Sequence, residues 1–242
     1  MPNWCVNQVD IQGDEVEVAK LVEFVKSDEC AFDFRKIVPP PDTDRYKGTS
    51  SSNTFICGCA TESRVIGKFE NGNDKYGWFI GDVEVLFDGK CPIHGATNTM
   101  NDPENWYQWN VSNWGTKWDA ADVWNERLDD STAKVDGQTS YNFDTAWSPA
   151  EPVVAALAVQ FPTLRITHRY CEAGMGFAGE VLYADGDEIR REEYDMGDGM
   201  PDGAFYGEGV EGHDHWERNY DKVPMNSMER FCDEHFGGVV GG

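Results

Sequence analysis

The chain has 242 residues, with 44 Asp and Glu against 20 Lys and Arg, for a formal net charge of −24. A polyanion repels phosphates, and no Lys/Arg-rich stripe interrupts the pattern, so direct binding to nucleic acid or to an anionic membrane surface is excluded from the expected functions. The 40% hydrophobic and 13% aromatic content suffices for a core and argues against a wholly disordered acidic chain. The length fits one large domain, or a smaller one with a substantial insertion.

Met1-Pro-Asn-Trp-Cys5 has neither the basic start nor the apolar run of a signal peptide. No segment approaches the length of a membrane span, so a cytoplasmic location in a bacterial host is expected. The seven cysteines (5, 30, 57, 59, 91, 171, 232) then read as cytosolic thiols or metal ligands before disulfides.

Along the chain, Trp4 to Ile11 alternates apolar and polar, as a half-buried strand does. After Gly13 the period changes. Val18, Leu21, Val22 and Val25 fall at i, i+3, i+4 and i+7, which predicts an amphipathic helix with Asp14 as N-cap. Phe32 to Val38 reads as a second strand, ended by Pro39-Pro40-Pro41. A polar loop follows. Residues 42–105 read as an insertion holding short strands, at Gly77 to Ile80 and Val83 to Phe87.

Trp106 to Trp118 is aromatic and alternating and reads as a strand or hairpin, and Tyr141 to Trp147 as another strand. Ser148-Pro149-Ala150-Glu151 has the form of a capping box with proline at N1, and Pro152 shifts the start by a few residues. Leu164 to Tyr170 and Glu180 to Tyr183 complete the strands. Without the insertion the order is a split β-α-β twice over. That predicts an α+β, ferredoxin-like antiparallel sheet with two helices on one face, over residues 1–185. Residues 186–242 read as an acidic, Gly-rich extension, and more than half of the net negative charge falls after residue 171.

Four motifs carry a family resemblance: Met1 to Asn7, Asn113-Trp-Gly-Thr-Lys-Trp-Asp119, Phe143-Asp-Thr-Ala-Trp-Ser-Pro149 and Tyr170-Cys-Glu-Ala-Gly-Met-Gly-Phe-Ala-Gly179. Together, over roughly residues 1–185, they resemble the YubB-type ferredoxin-like family of plasmid and bacteriophage proteins. The resemblance implies a mobile-element setting and a ferredoxin-like fold. It brings no catalytic residues with it.

Four groups are candidate sites. Gly174-x-Gly176-x-x-Gly179 has a dinucleotide-binding pattern, but a strand follows where the pyrophosphate needs a helix N-terminus. A glycine-rich bend is expected instead. Trp114, Lys117, Trp118, Asp119, Asp144, Trp147 and Glu172 offer carboxylates, a lysine and tryptophans, suited to a binding pocket or an acid–base site. The bland alternative is an ion pair and core aromatics.

Cys57-x-Cys59 and Cys91-x-x-His94 are two short chelating pairs, the logic of a structural zinc site in an insertion with little core. Zinc is therefore the one candidate cofactor, and free thiols are the alternative. His213-x-His215 with Cys232-x-x-His235 repeats the arrangement more weakly. The acidic surface is Asp185, Asp187, Glu188, Glu192, Glu193, Asp195, Asp198 and Asp202. It lacks the EF-hand register for calcium, so it reads as a solvated face or as an imitation of the phosphate field of DNA.

No Ser-His-Asp or Cys-His order with recognisable context appears, so nucleophilic catalysis has no support. The leading expectation is a phage or plasmid accessory protein that binds a basic host protein, defence-related or nucleic-acid-associated, through an acidic, aromatic-bearing surface. The alternatives are an enzyme using Asp119, Asp144, Glu172 and Lys117, and a structural zinc-binding module.

Overall fold

The computed structural model describes residues 3–85, 89–124, 137–195, 225 and 227–237. In chain order the elements begin with β1 (Trp4–Gln12), α1 (Glu15–Val25), α2 (Phe34–Ile37), α3 (Asp44–Lys47), β2 (Glu62–Lys68), β3 (Asp74–Ile80) and β4 (Val83–Glu84). They continue with α4 (Trp106–Trp114), β5 (Ala121–Trp124), β6 (Gln138–Ala146), α5 (Glu151–Gln160), β7 (Arg165–Glu172), β8 (Phe177–Ala184), β9 (Asp187–Asp195) and α6 (Ser227–Phe236). The chain divides into two compact units, Met1–Pro39 with Trp114–Gly242, and Pro40–Asn113. The inserted unit is thus slightly longer than the 42–105 read from sequence. Among the described residues no helix is long and apolar enough to cross a membrane.

The first unit is α+β, as expected. Its sheet has the order β5-β6-β1-β7-β8-β9, with every neighbouring pair antiparallel. Because β6 and β7 both run antiparallel to β1, they are parallel to each other. The β6-α5-β7 crossover straddles β1, which is the split β-α-β unit. Alternation in β1 buries Cys5, Asn7, Val9 and Ile11 on the helix side. The α1 stripe buries the four predicted residues, Val18, Leu21, Val22 and Val25, and the Asp14 carboxylate caps the helix by accepting from Val16 N and Glu17 N. Phe32, Phe34, Tyr141 and Phe143 pack as one aromatic group beneath it.

Three elements differ from the sequence expectations. Residues 32–38 make no strand; the strand that completes the first split β-α-β is β5, which runs parallel to β1 with β6 between them. Asp33 accepts from Arg35 N at 2.9 Å and starts α2, which buries Phe34 and Ile37 at i and i+3. Residues 106–114 are helix, not hairpin. The Asn105 side chain accepts from Gln108 N at 2.9 Å, and this cap outweighs the apparent alternation. Ser148 does not cap α5. Its hydroxyl donates to Gly115 O at 2.5 Å, and the helix starts after Ala150.

The sheet also runs past residue 186. Asp187–Asp195 is its edge strand, with charged side chains along most of its exposed length, a feature that blunts edge-to-edge pairing. Helix α6 packs on the face opposite α1 and α5. Its Met228, Phe231 and Cys232 meet Cys171 and Ala178, with Tyr194 and Phe236 at the margin. A Cys171–Cys232 disulfide fastens it there. This corrects the thiol reading for those two cysteines and removes Cys232 from any metal set. His213 and His215 lie outside the described residues.

The second unit is described by itself. It holds the three-stranded sheet β2-β3-β4 and the short helix α3. Arg45 clamps Asp102, with Nε 2.8 Å from Oδ2, and Tyr46 donates to Asn110 at 2.9 Å.

Candidate functional site

The most concentrated chemistry lies in the second unit. Cys57, Cys59, Cys91 and His94 bring their ligand atoms within 4.8 Å of one another. His94 turns Nδ1 inward, 3.5 Å from the Cys59 sulfur and 3.8 Å from that of Cys91. Burial pushes the Cys91 thiol up, but the backbone N–H groups of His94 and Ile93, aimed at its sulfur, outweigh this and hold it at about 6. Hydrogen bonding from Cys57 raises Cys59 to about 11. These four are the residues that could hold a metal.

The aromatic and acidic group divides in two. Three members are structural. Trp114 is buried, edge-on to Phe34, and its indole donates to Val38 O at 2.9 Å. Glu172 is fully buried, and both its oxygens accept backbone N–H groups of the next turn, from Gly174 and Met175. It therefore clamps the glycine-rich bend expected between β7 and β8. Gly179 in that motif is required by contact, since a Cβ there would stand 2.6 Å from the Tyr170 ring.

Asp119 is the third. It accepts from Phe34 N at 3.0 Å and Ala120 N at 2.9 Å, with Arg35 Nε at 3.3 Å, and burial raises its carboxyl to about 6. Asp119→Asn is expected to stay within about 1 kcal/mol of the parent, because both donors meet Oδ1 and an amide keeps that oxygen. Asp119→Ala leaves both N–H groups unmet and is expected to lose about 1–3 kcal/mol. Urea unfolding of the two variants checks this, and equal losses would show that the charge matters rather than the acceptor.

The other members sit on the surface. Trp118 is 39% exposed and lies 6.2 Å from Trp4, with Lys117 Nζ 4.4 Å above its ring. Trp147 is 46% exposed and held at φ 72° by its position after β6, its N–H donating to Asn3 O. Asp144 pairs in register with Val6 and Ala121, on the sheet face that α1 and α5 leave open. Burial, then Asp122, raises its carboxyl. Trp124, 48% exposed, stands opposite Asn142 on the same face. Sequence reasoning missed Trp4 and Trp124. The even positions of β1 could have shown Trp4, whose alternation puts it opposite buried Cys5.

Three acidic residues of β9, Glu188, Glu192 and Glu193, are ion-paired. Arg191 meets Glu151, Glu188 and Glu193 at 2.6, 2.8 and 3.0 Å, and Arg190 bridges Glu180 and Glu192. Asp185 occupies the left-handed turn before β9, and Asp187 and Asp195 end that strand. Asp198 and Asp202 lie outside the described residues.

The architecture of the first unit defines an α+β protein with a ferredoxin-like domain, and residues 114–218 match the family described as "Ferredoxin-like domain in Api92-like protein". The later three of the four sequence motifs fall almost wholly in that span. Among solved structures, the crystal structure of a protein Api92 from Yersinia pseudotuberculosis is similar at 14% identity. The match covers 81% of this chain and 99% of that one, with a TM-score of 0.44. No curated protein matches the chain.

Proposed function

We propose that the protein is a non-enzymatic interaction protein of a phage or plasmid, and that it binds a basic host protein through the open face of its six-stranded sheet. The observation that carries this reading is the group of Trp4, Trp118 and Trp124 around Asp144 on that face. Tryptophan is enriched among residues that dominate binding energy. Exposed indoles beside carboxylates suit guanidinium and ammonium groups, which stack on the ring and pair with the acid. The net charge of −24 steers such a partner over longer range.

Among the described residues Asp144 and Asp122 make no ion pair, and burial and then the Asp122 charge raise the Asp144 carboxyl. Three of the β9 acids contribute less to this reading, since Arg190 and Arg191 already pair with Glu188, Glu192 and Glu193. A surface imitating the phosphates of DNA needs acids free of such partners, so the tryptophan face is the better candidate. The enzyme alternative loses ground for a similar reason, because both Glu172 oxygens and Asp119 Oδ1 are occupied by backbone donors.

Co-purification from bacterial lysate is expected to return a basic or nucleic-acid-associated protein. Recovery is expected to fall at least about tenfold for Trp118→Ala and for Asp144→Lys, a loss typical of residues at the centre of an interface. It should also fall steeply between low and high salt. Equal recovery by the parent and both variants would exclude this face as the binding surface.

A further inference from the structure

We propose that Cys57, Cys59, Cys91 and His94 form a tetrahedral zinc site, and that the metal is what holds the 40–113 unit folded. The proposal is independent of the binding surface above, which lies wholly in the other unit. Distances come first. A tetrahedral zinc with Zn–S of about 2.3 Å and Zn–N of about 2.0–2.1 Å requires sulfur–nitrogen edges of about 3.6 Å and sulfur–sulfur edges of about 3.8 Å. The His94 Nδ1 to sulfur distances are 3.5 and 3.8 Å, and all four ligand atoms fall within 4.8 Å. The two nitrogen–sulfur edges thus match a tetrahedral site, and the remaining ligand atoms lie within about an ångström of that spacing.

The backbone is built to present those ligands. Cys57 and Cys59 flank Gly58 in a turn closed by Gly58 N to Phe55 O at 2.8 Å and Phe55 N to Cys59 O at 2.8 Å. Cys91 and His94 sit in a second turn, closed by Gly95 N to Cys91 O at 2.7 Å and Cys91 N to Ala96 O at 2.8 Å. Gly58 and Gly95 have φ of 86° and 67°, with open space where a Cβ would stand. The left-handed turn, not crowding, therefore demands glycine at both. The turns are tied together by Ile56 N to Thr97 O and by the Phe55–Asn98 bridge.

The unit also lacks another source of stability. Among its described residues the buried apolar side chains are Phe55 and Cys91 alone, and the other buried side chains are polar, Asn98, Asp102, Asn105 and Asn110. Val65, Ile66, Phe69, Tyr76 and Trp78 are exposed. A unit this size with so little core needs a staple, and a metal bound only by the folded state supplies one. Cys91, the most buried ligand, stands beside that minimal core.

The test uses the full chain with its thiols reduced. Elemental analysis of protein grown with zinc is expected to give about one equivalent per chain, and cobalt(II) in its place is expected to show the visible bands of a tetrahedral thiolate site. His94→Cys keeps four ligands and should retain the metal with its cobalt bands shifted, whereas Cys59→Ser should weaken binding at least about tenfold. Removing zinc with a chelator should open residues 40–113 to proteolysis while residues 137–195 stay protected. If Cys59→Ser fails to fold, the cobalt spectrum of the parent still decides. A folded parent that takes up neither zinc nor cobalt, or that carries iron instead, overturns the zinc site. A 40–113 unit that stays protease-resistant after complete loss of zinc overturns its folding role.

Discussion

Replacing Cys171 and Cys232 together by alanine is expected to lower stability by about 2–4 kcal/mol and to free α6 from the sheet. The bridge joins residues 61 apart, so it removes a large closed loop's worth of freedom from the unfolded chain. What would hold α6 without it is small: Met228 and Phe231 on Ala178, with Tyr194 and Phe236 at the margin. Trypsin reports the release, because Arg230 on α6 is exposed and lies within the freed helix. Urea titration and tryptic digestion of the variant in non-reducing buffer measure both effects. An unchanged urea midpoint together with an intact α6 would show that the bridge contributes nothing. A disulfide of this kind is sustained by oxidising surroundings, whereas zinc-bound cysteines need reduced thiols. On the zinc assignment proposed above, the two units respond to reductant in opposite directions.

Asn7→Ala is expected to be about as damaging, at roughly 3 kcal/mol or more. Asn7 is fully buried at the centre of the sheet. Its amide donates to Cys5 O at 2.9 Å and to Thr145 Oγ1 at 2.8 Å, and its oxygen faces His168 Nε2 at 3.0 Å and Ala150 N at 3.4 Å. One side chain thus ties β1 to β6, to β7 and to the start of α5. Alanine would strand the buried imidazole, whose Nδ1 already has no partner.

That imidazole also sets a pH dependence. Burial, then the charge of Arg191, lowers His168 to about 3. The unfolded chain takes up a proton there below about 6.5, and the folded chain does not until about 3. Stability is therefore lost as pH falls through that window, by up to about 1.4 kcal/mol per unit. Asp119 acts the other way. Its raised carboxyl keeps a proton up to about 6 when folded, while the unfolded group loses it near 3.9, so its share of stability falls as pH rises between the two. The slopes oppose each other where the windows overlap. Urea midpoints from pH 7 to 4.5 are expected to show the full His168 slope only in Asp119→Asn, and a flat profile when His168→Gln is added. A profile unaffected by His168→Gln would refute the assignment.

Where periodicity and capping agree, the sequence is a reliable guide to this fold. In α1 the i, i+3, i+4, i+7 stripe and the Asp14 cap point the same way, and β1 alternates cleanly. At 32–38 and 106–114 they disagree. The alternation suggests strands, but Asp33 and Asn105 supply side-chain caps, and the caps decide. The clustering of Cys57, Cys59, Cys91 and His94, on which the proposed zinc site rests, follows a local pattern in the sequence, because each pair lies within one turn. The disulfide does not, because it joins β7 to a helix far along the chain with no local pattern to mark it. The surface group proposed for binding was half legible. Its tryptophans and acids were visible, but only the register of β1, β5 and β6 shows which of them share a face.

The indole of Trp114 donates to the carbonyl of Val38, and both residues belong to the first unit. They are also its last and first positions around the insertion, apart from Pro39. The two chain ends that lead into the second unit are therefore pinned side by side by the first unit alone. The cost of closing the intervening chain grows only slowly with its length. Such a neck makes the insertion an exchangeable cassette: a longer, shorter or different segment can be seated between Pro39 and Trp114 while the six-stranded sheet keeps its register.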